Sequence, residues 1–89
     1  MSDAVLYFKR APSAPIPQVV GATPAVLTNS STNVQVYAVT GGVVTLIEVD
    51  LGAGFLPAVG IAGVFALMPA QALRITYAVT PPTVNMVQY

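Results

Sequence analysis

Residues 33–49 read NVQVYAVTGGVVTLIEV, two alternating apolar segments on either side of Gly41 and Gly42. Paired glycines between such segments signal a hairpin, because the tight turns that join antiparallel strands need φ > 0 and glycine supplies it without a Cβ clash. A loop of those two residues alone pairs Thr40 with Val43, Ala38 with Thr45, Val36 with Ile47 and Val34 with Val49. One face then carries Val34, Val36, Ile47 and Val49. The other carries Gln35 opposite Glu48, Tyr37 opposite Leu46, and Val39 opposite Val44. Widening the loop to take in Thr40 sets Val34 against Glu48 and mixes the faces, so the shorter turn is expected. The pattern predicts β structure at the centre of the chain and brings no catalytic constellation with it.

Downstream, residues 51–73 carry no charge. A stretch of about 20 apolar residues is long enough for a membrane helix, and a bitopic protein using 51–73 is one alternative. Gly52, Gly54, Pro57, Gly60 and Gly63 interrupt it, however, and strand-like alternation at Ile61, Gly63, Phe65 and Leu67 follows. We expect an apolar loop over 50–60 that lies against another subunit, then a strand over 61–68. Pro69 turns the chain, and Leu73, Ile75, Tyr77 and Val79 alternate with Arg74, Thr76 and Ala78 as a half-buried strand. Direct pairing of these two strands sets Met68 against Ala72, Phe65 against Ile75, and Tyr77 over the bare backbone of Gly63; placing them in opposite sheets is the other arrangement. Pro81 and Pro82 stop the strand, and 83–89 reads as an extended or edge segment.

Upstream, 4–9 predicts a short strand with Val5 and Tyr7 on one side and Leu6 and Phe8 on the other. A strand apolar on both sides suits addition to a neighbouring subunit. Pro12, Pro15 and Pro17 then hold the chain extended. Residues 19–28 read as a strand interrupted near Gly21 and Pro24, followed by the polar loop TNSSTN. Asn29-Ser30-Ser31 matches a glycosylation sequon, but turn chemistry from Asn and Ser side chains is the favoured use. The expected organisation is an extended N-terminal arm, 1–18, and one β domain, 19–89.

Composition narrows the function. Of 89 residues, 55% are hydrophobic and 7% charged, with zero formal net charge, against about 25% charged in ordinary soluble domains. Six charged side chains cannot cover the roughly 4,900 Å² that a globule of this mass exposes. Burial against other subunits is therefore expected, and neutrality favours self-association. No field is available to hold nucleic acid. Cysteine and histidine are absent, which argues against disulfides, transition-metal sites and an activated serine nucleophile. The first residues show no apolar run of signal-peptide length, so cytoplasmic synthesis is the default expectation. Glu48 and Asp50 could form an acid pair or touch calcium, but calcium needs about six to eight oxygen ligands. A solvated strand end is expected for them, and an ion pair or surface charge for Arg74. Aromatics including Tyr7, Tyr37, Phe55 and Phe65 could make a sugar platform; packing is their commoner use. We expect no enzyme activity and no cofactor.

The runs TNSSTNVQVYAVTGGVVTLIEV and GVFALMPAQALRITYAV resemble a pattern found in small structural proteins of tailed bacteriophages. There, a TN-S/T loop precedes a G-G turn, and a G-x-F/Y-x-L-x-P-G-D/Q turn leads into an L-x-I/V-T-Y strand. The likeness covers roughly residues 28–79 and departs at Ala70, where the pattern usually has glycine. It implies a capsid decoration or cement subunit, or a small tail-fibre domain, resident in the virion after assembly in the host cytoplasm. The expected fold is all-β, a small sandwich or jelly-roll-like barrel with an extended arm. The expected partners are major capsid protein or other virion subunits and further copies of the chain, with a trimer favoured. The expected interface residues are Val5, Leu6, Tyr7, Phe8, Tyr37, Leu46, Phe55 and Leu56.

Overall fold

The computed structural model describes residues 13–57 and 60–89; the strand expected at 4–9 lies outside them. Eight strands follow in order: β1 (Ile16–Gln18), β2 (Ala25–Thr28), β3 (Gln35–Thr40), β4 (Val44–Asp50), β5 (Phe55–Pro57), β6 (Gly63–Leu67), β7 (Ala72–Tyr77) and β8 (Thr83–Gln88). They form two antiparallel four-stranded sheets, sheet I in the order β1-β8-β3-β6 and sheet II in the order β2-β7-β4-β5. The chain pairs its first strand with its eighth, its second with its seventh, its third with its sixth and its fourth with its fifth. Two further pairings, β3 with β8 and β4 with β7, complete the sheets.

One core lies between the sheets. Sheet I contributes Tyr37, Val39, Leu67, Val84 and Met86, and sheet II contributes Val44, Ile47, Leu73 and Ile75. Each set recurs every second residue, as strands with one buried face require. Parity breaks once, in β4, where Val44 pairs with Tyr77 and Leu46 with Thr76. The extra residue, Thr45, is a bulge; it lets Val44 and Ile47 both point inward although they are three positions apart.

The central expectation changes here. Gly41 and Gly42 do take positive φ, at 71° and 65°, but β3 and β4 belong to different sheets. The glycines form an arch from one sheet to the other, so none of the hairpin pairs of 34–49 exists. Val43 instead donates its amide to Thr80 O at 3.0 Å, and Val43 O accepts from the Ala78 amide at 2.8 Å. Gly42 fits because a Cβ there would stand 2.6 Å from the backbone nitrogen of Pro82. Likewise β6 and β7 lie in opposite sheets, the second of the two arrangements the sequence left open. The ring beside Gly63 is that of Phe65, 3.8 Å from where a Cβ would stand, whereas the Tyr77 hydroxyl donates to Gly21 O at 2.6 Å.

Three boundaries also move. Ile16–Gln18, assigned to the arm for its prolines, is β1 and pairs with β8. Residues 83–89 are extended, as one of the two expectations had it, but not an edge, because β8 runs between β1 and β3. Residues 51–73 contain β5, β6 and the start of β7, and among the described residues no helix is long and apolar enough to cross a membrane.

The loop after β2 is fastened from inside. Asn29 is fully buried. Its Nδ2 donates to Asn33 O and Leu67 O, both at 2.8 Å, and its Oδ1 accepts from the Ser31 amide and hydroxyl at 3.0 and 2.6 Å. Its backbone bonds Gln71 O and the Ala70 amide. The side chain is thus spent on the fold, which leaves the sequon no free amide to modify. Ala70 has φ 72°, so the position where the phage pattern has glycine needs the left-handed conformation that glycine adopts most easily.

Candidate interaction surface

The described fold holds three charged residues, Glu48, Asp50 and Arg74, and all three lie on the outer side of sheet II. Register aligns Val26, Arg74, Glu48 and Pro57 in one row across its four strands. Arg74 grips Glu48 with two bonds, Nε to Oε1 at 2.7 Å and Nη2 to Oε2 at 2.9 Å. The Arg74 hydrogen bond, reinforced by its charge, holds the Glu48 carboxyl below the ordinary glutamate range. The guanidinium carbon also sits 4.2 Å from the centroid of the Phe55 ring. Asp50 Oδ1 accepts from the amides of Gly52 and Gly54 and closes the turn into β5. These groups satisfy one another, and among the described residues no cluster of acidic side chains could hold a metal ion.

Sheet I is the opposite case. Its outer side presents Pro17 on β1, Asn85 and Val87 on β8, Val36 and Ala38 on β3, and Val64 and Ala66 on β6. One row runs Pro17, Asn85, Ala38, Val64 and the next runs Val87, Val36, Ala66. Val64 is 68% exposed. Thr40 and Thr83 border the patch at one end. Among the described residues no charged side chain lies on it and nothing covers it. A sheet that met only water on this side would alternate apolar and polar residues; here both sides are apolar, which marks an association surface.

A second apolar region occurs at one end of the molecule. The arch at Gly41-Gly42 meets the β7–β8 loop through Val43 and Thr80, and the β1–β2 loop joins them where Tyr77 bonds Gly21 and Thr23. Val19, Val43 and Val79 protrude there, Val79 being 96% exposed.

The expected interface residues fall in separate places. Val5, Leu6, Tyr7 and Phe8 lie outside the described residues. Tyr37 is a correction: it is 3% exposed, faces the core, and donates its hydroxyl to Gln35 Oε1 at 2.7 Å. Burial raises its pKa. Leu46 is on the outer side of sheet II, opposite Thr76. Phe55 is there too, under Arg74. Leu56 pairs with Val49 on the inward-facing parity, yet it is 59% exposed because β5 is an edge strand. The sheet I face went unrecognised because its members come from β1, β3, β6 and β8, which become neighbours only once the strand order is known. No family model, curated protein or solved structure matches the chain.

Proposed function

We propose that this chain is a non-enzymatic virion structural protein, a capsid decoration or cement subunit that seats the outer side of sheet I on its neighbours. The observation that carries this is the segregation of charge: every described charge is on sheet II, already paired or bonded, and sheet I is left apolar and charge-free. We further read the two sheets as a jelly-roll sandwich. First-with-last, second-with-seventh, third-with-sixth and fourth-with-fifth pairing is what results when one long antiparallel ribbon is wound on itself, a layout used by viral capsid domains among others. The phage-like residues support the same assignment.

Magnitudes indicate what else is needed. Four strands at about 4.8 Å spacing and five residues at about 3.3 Å give a face of roughly 320 Å² in projection. Burying it contributes on the order of 8 kcal/mol before association entropy. A standard interface buries about 800 Å² per partner, so the face alone falls short. The reading therefore also calls on the apolar run Val5-Leu6-Tyr7-Phe8 of the sequence and on the avidity that repetition over a shell adds.

The alternative, a tail-fibre domain that reads sugar with aromatics, is weakened by Tyr37 in the core and Phe55 under a guanidinium. The test is Ala38→Asp, a charge at the centre of the sheet I face. The variant is expected to fold and to lose attachment to undecorated capsids of the virus that encodes it, whereas Thr76→Asp on sheet II keeps attachment. Equal attachment by both would refute this placement.

A further inference from the structure

Among the described residues the sheets end in four edge strands, β1 and β6 in sheet I, β2 and β5 in sheet II. Natural edges are guarded by proline, charge, bulges or shortness, since an open edge offers unpaired N–H and C=O groups to any extended chain. β1 is three residues long and contains Pro17; β5 is three residues long and contains Pro57. β2 has four residues and abuts Pro24. β6, GVFAL, is the longest at five residues, has neither proline nor charge, and pairs with β3 without a bulge.

A strand added to β6 would meet two environments. One side would extend the outer face beside Val64 and Ala66, both exposed. The other would face the flank between β6 and β5, since the short β3–β4 and β7–β8 connections stack those strands in pairs and leave β5 and β6 on the same flank. There Leu56 is 59% exposed and Phe65 only partly buried. The incoming strand must therefore be apolar on both sides. Residues 4–8 meet that requirement, with Val5 and Tyr7 on one side and Leu6 and Phe8 on the other.

We propose that the edge of β6 takes residues 4–9 of a second copy of this chain as a fifth strand of sheet I. The donor is a second copy because of reach. Ser13 is bonded to Gln88 at the β1 edge, its amide donating to Gln88 O at 2.8 Å, with β8 and β3 between it and β6. A strand outside β6 lies four spacings from β1, about 19 Å. The four residue steps from Lys9 to Ser13 span at most about 14 Å. The same copy cannot make the pairing, and a neighbour can. This inference rests on the association reading above and names one partner for it.

The sequence has no cysteine, so the test is clean. Full-length Ala66→Cys is mixed under mild oxidation with full-length Leu6→Cys or Tyr7→Cys, the two chains carrying tags of different mass. A disulfide heterodimer is expected with one of the two donors, and none when Thr28→Cys, on the β2 edge, replaces Ala66→Cys. In parallel, the full chain should sediment as a defined oligomer, and the edge double variant Val64→Lys/Ala66→Lys as a monomer with an unchanged circular dichroism melt. Cross-linking no higher than the Thr28→Cys control would overturn the proposal, as would an oligomer that survives the lysines. Either failure, with capsid attachment retained, would leave the decoration reading standing. Loss of attachment in Ala38→Asp and Thr76→Asp alike, with the oligomer intact, would count against that reading alone.

Discussion

Asn29→Ala should be the most damaging single polar substitution in the domain. The side chain makes four bonds, two donated to Asn33 O and Leu67 O and two accepted from Ser31. Alanine leaves the Leu67 carbonyl without this donor in the interior, and an orphaned buried group costs about 1–3 kcal/mol. Asn33 O and the Ser31 amide are nearer water and regain part of their bonding. The sum is about 2–4 kcal/mol, from a domain whose total stability at this length is roughly 4–13 kcal/mol. Thermal unfolding followed by circular dichroism should shift down by about 10–30 °C, and urea titration should show the midpoint falling with an unchanged slope. Asn29→Asp refines the argument. A carboxylate can only accept, so it faces two carbonyl oxygens with no proton to offer. Burial raises the pKa of this carboxyl in the fold. Its protonated form, a donor again, is favoured below the unfolded value of about 3.9, and stability is lost as pH rises through the raised folded value. The Asp variant should therefore regain stability on acidification, and the Ala variant should not. An Asn29→Ala cost below about 0.5 kcal/mol, the range of ordinary surface changes, would refute the reasoning.

Gly41 and Gly42 should separate. Gly41→Ala meets nothing within 4 Å and carries only the positive-φ penalty, about 1 kcal/mol, while Gly42→Ala also drives a Cβ into the backbone of Pro81 and Pro82 and should cost several times more by denaturant titration. Ala70→Gly should raise stability by about 0.5–1 kcal/mol, because glycine takes φ 72° without strain; a lower melting temperature would speak against that geometry. Acid titration should report on Glu48. Arg74 lowers its pKa in the fold, so its contribution is present above the unfolded value and is lost as pH falls through the lowered one. Glu48→Gln should lower stability slightly at neutral pH and flatten the acid limb of the stability profile, variant and parent converging in acid; an unaltered acid limb would remove the pair from the account.

Strand positions were largely legible and strand partners were not, for a physical reason. Alternation records which way side chains point, so the segments around Tyr37, Ile47, Phe65 and Ile75 could be placed, but it says nothing of which strand lies alongside. Positive φ at Gly41 and Gly42 serves an arch as well as a hairpin. Gln35 lies on the core side because it accepts from the Tyr37 hydroxyl two residues on and donates to Gln88 Oε1 at 2.9 Å; the second partner, on β8, could not be read locally. The Thr45 bulge reversed parity in β4 and made Val36 look like the partner of Ile47 and Val34 that of Val49. At Ala70 the sequence showed only a departure from the phage pattern; the left-handed backbone there, φ 72°, is known from the fold. The same pattern covers Asn29, Leu67, Ala70 and Gln71, which bond one another, so these residues report on how the fold is fastened. The apolar face could not be read locally, since it exists only where distant strands meet.

Of the six strand pairings among the described residues, only β4 with β5 joins strands consecutive in the sequence. Ile16, for example, waits for Met86. A chain of this kind cannot build its sheets hairpin by hairpin; it has to bring remote segments together first, which is the slow regime of folding. Until then its apolar strands stand open with almost no charge to keep separate molecules apart. Yield in a cell should thus be governed by a race between intramolecular closure and clumping, and it should improve when synthesis is slowed or the chain is kept dilute.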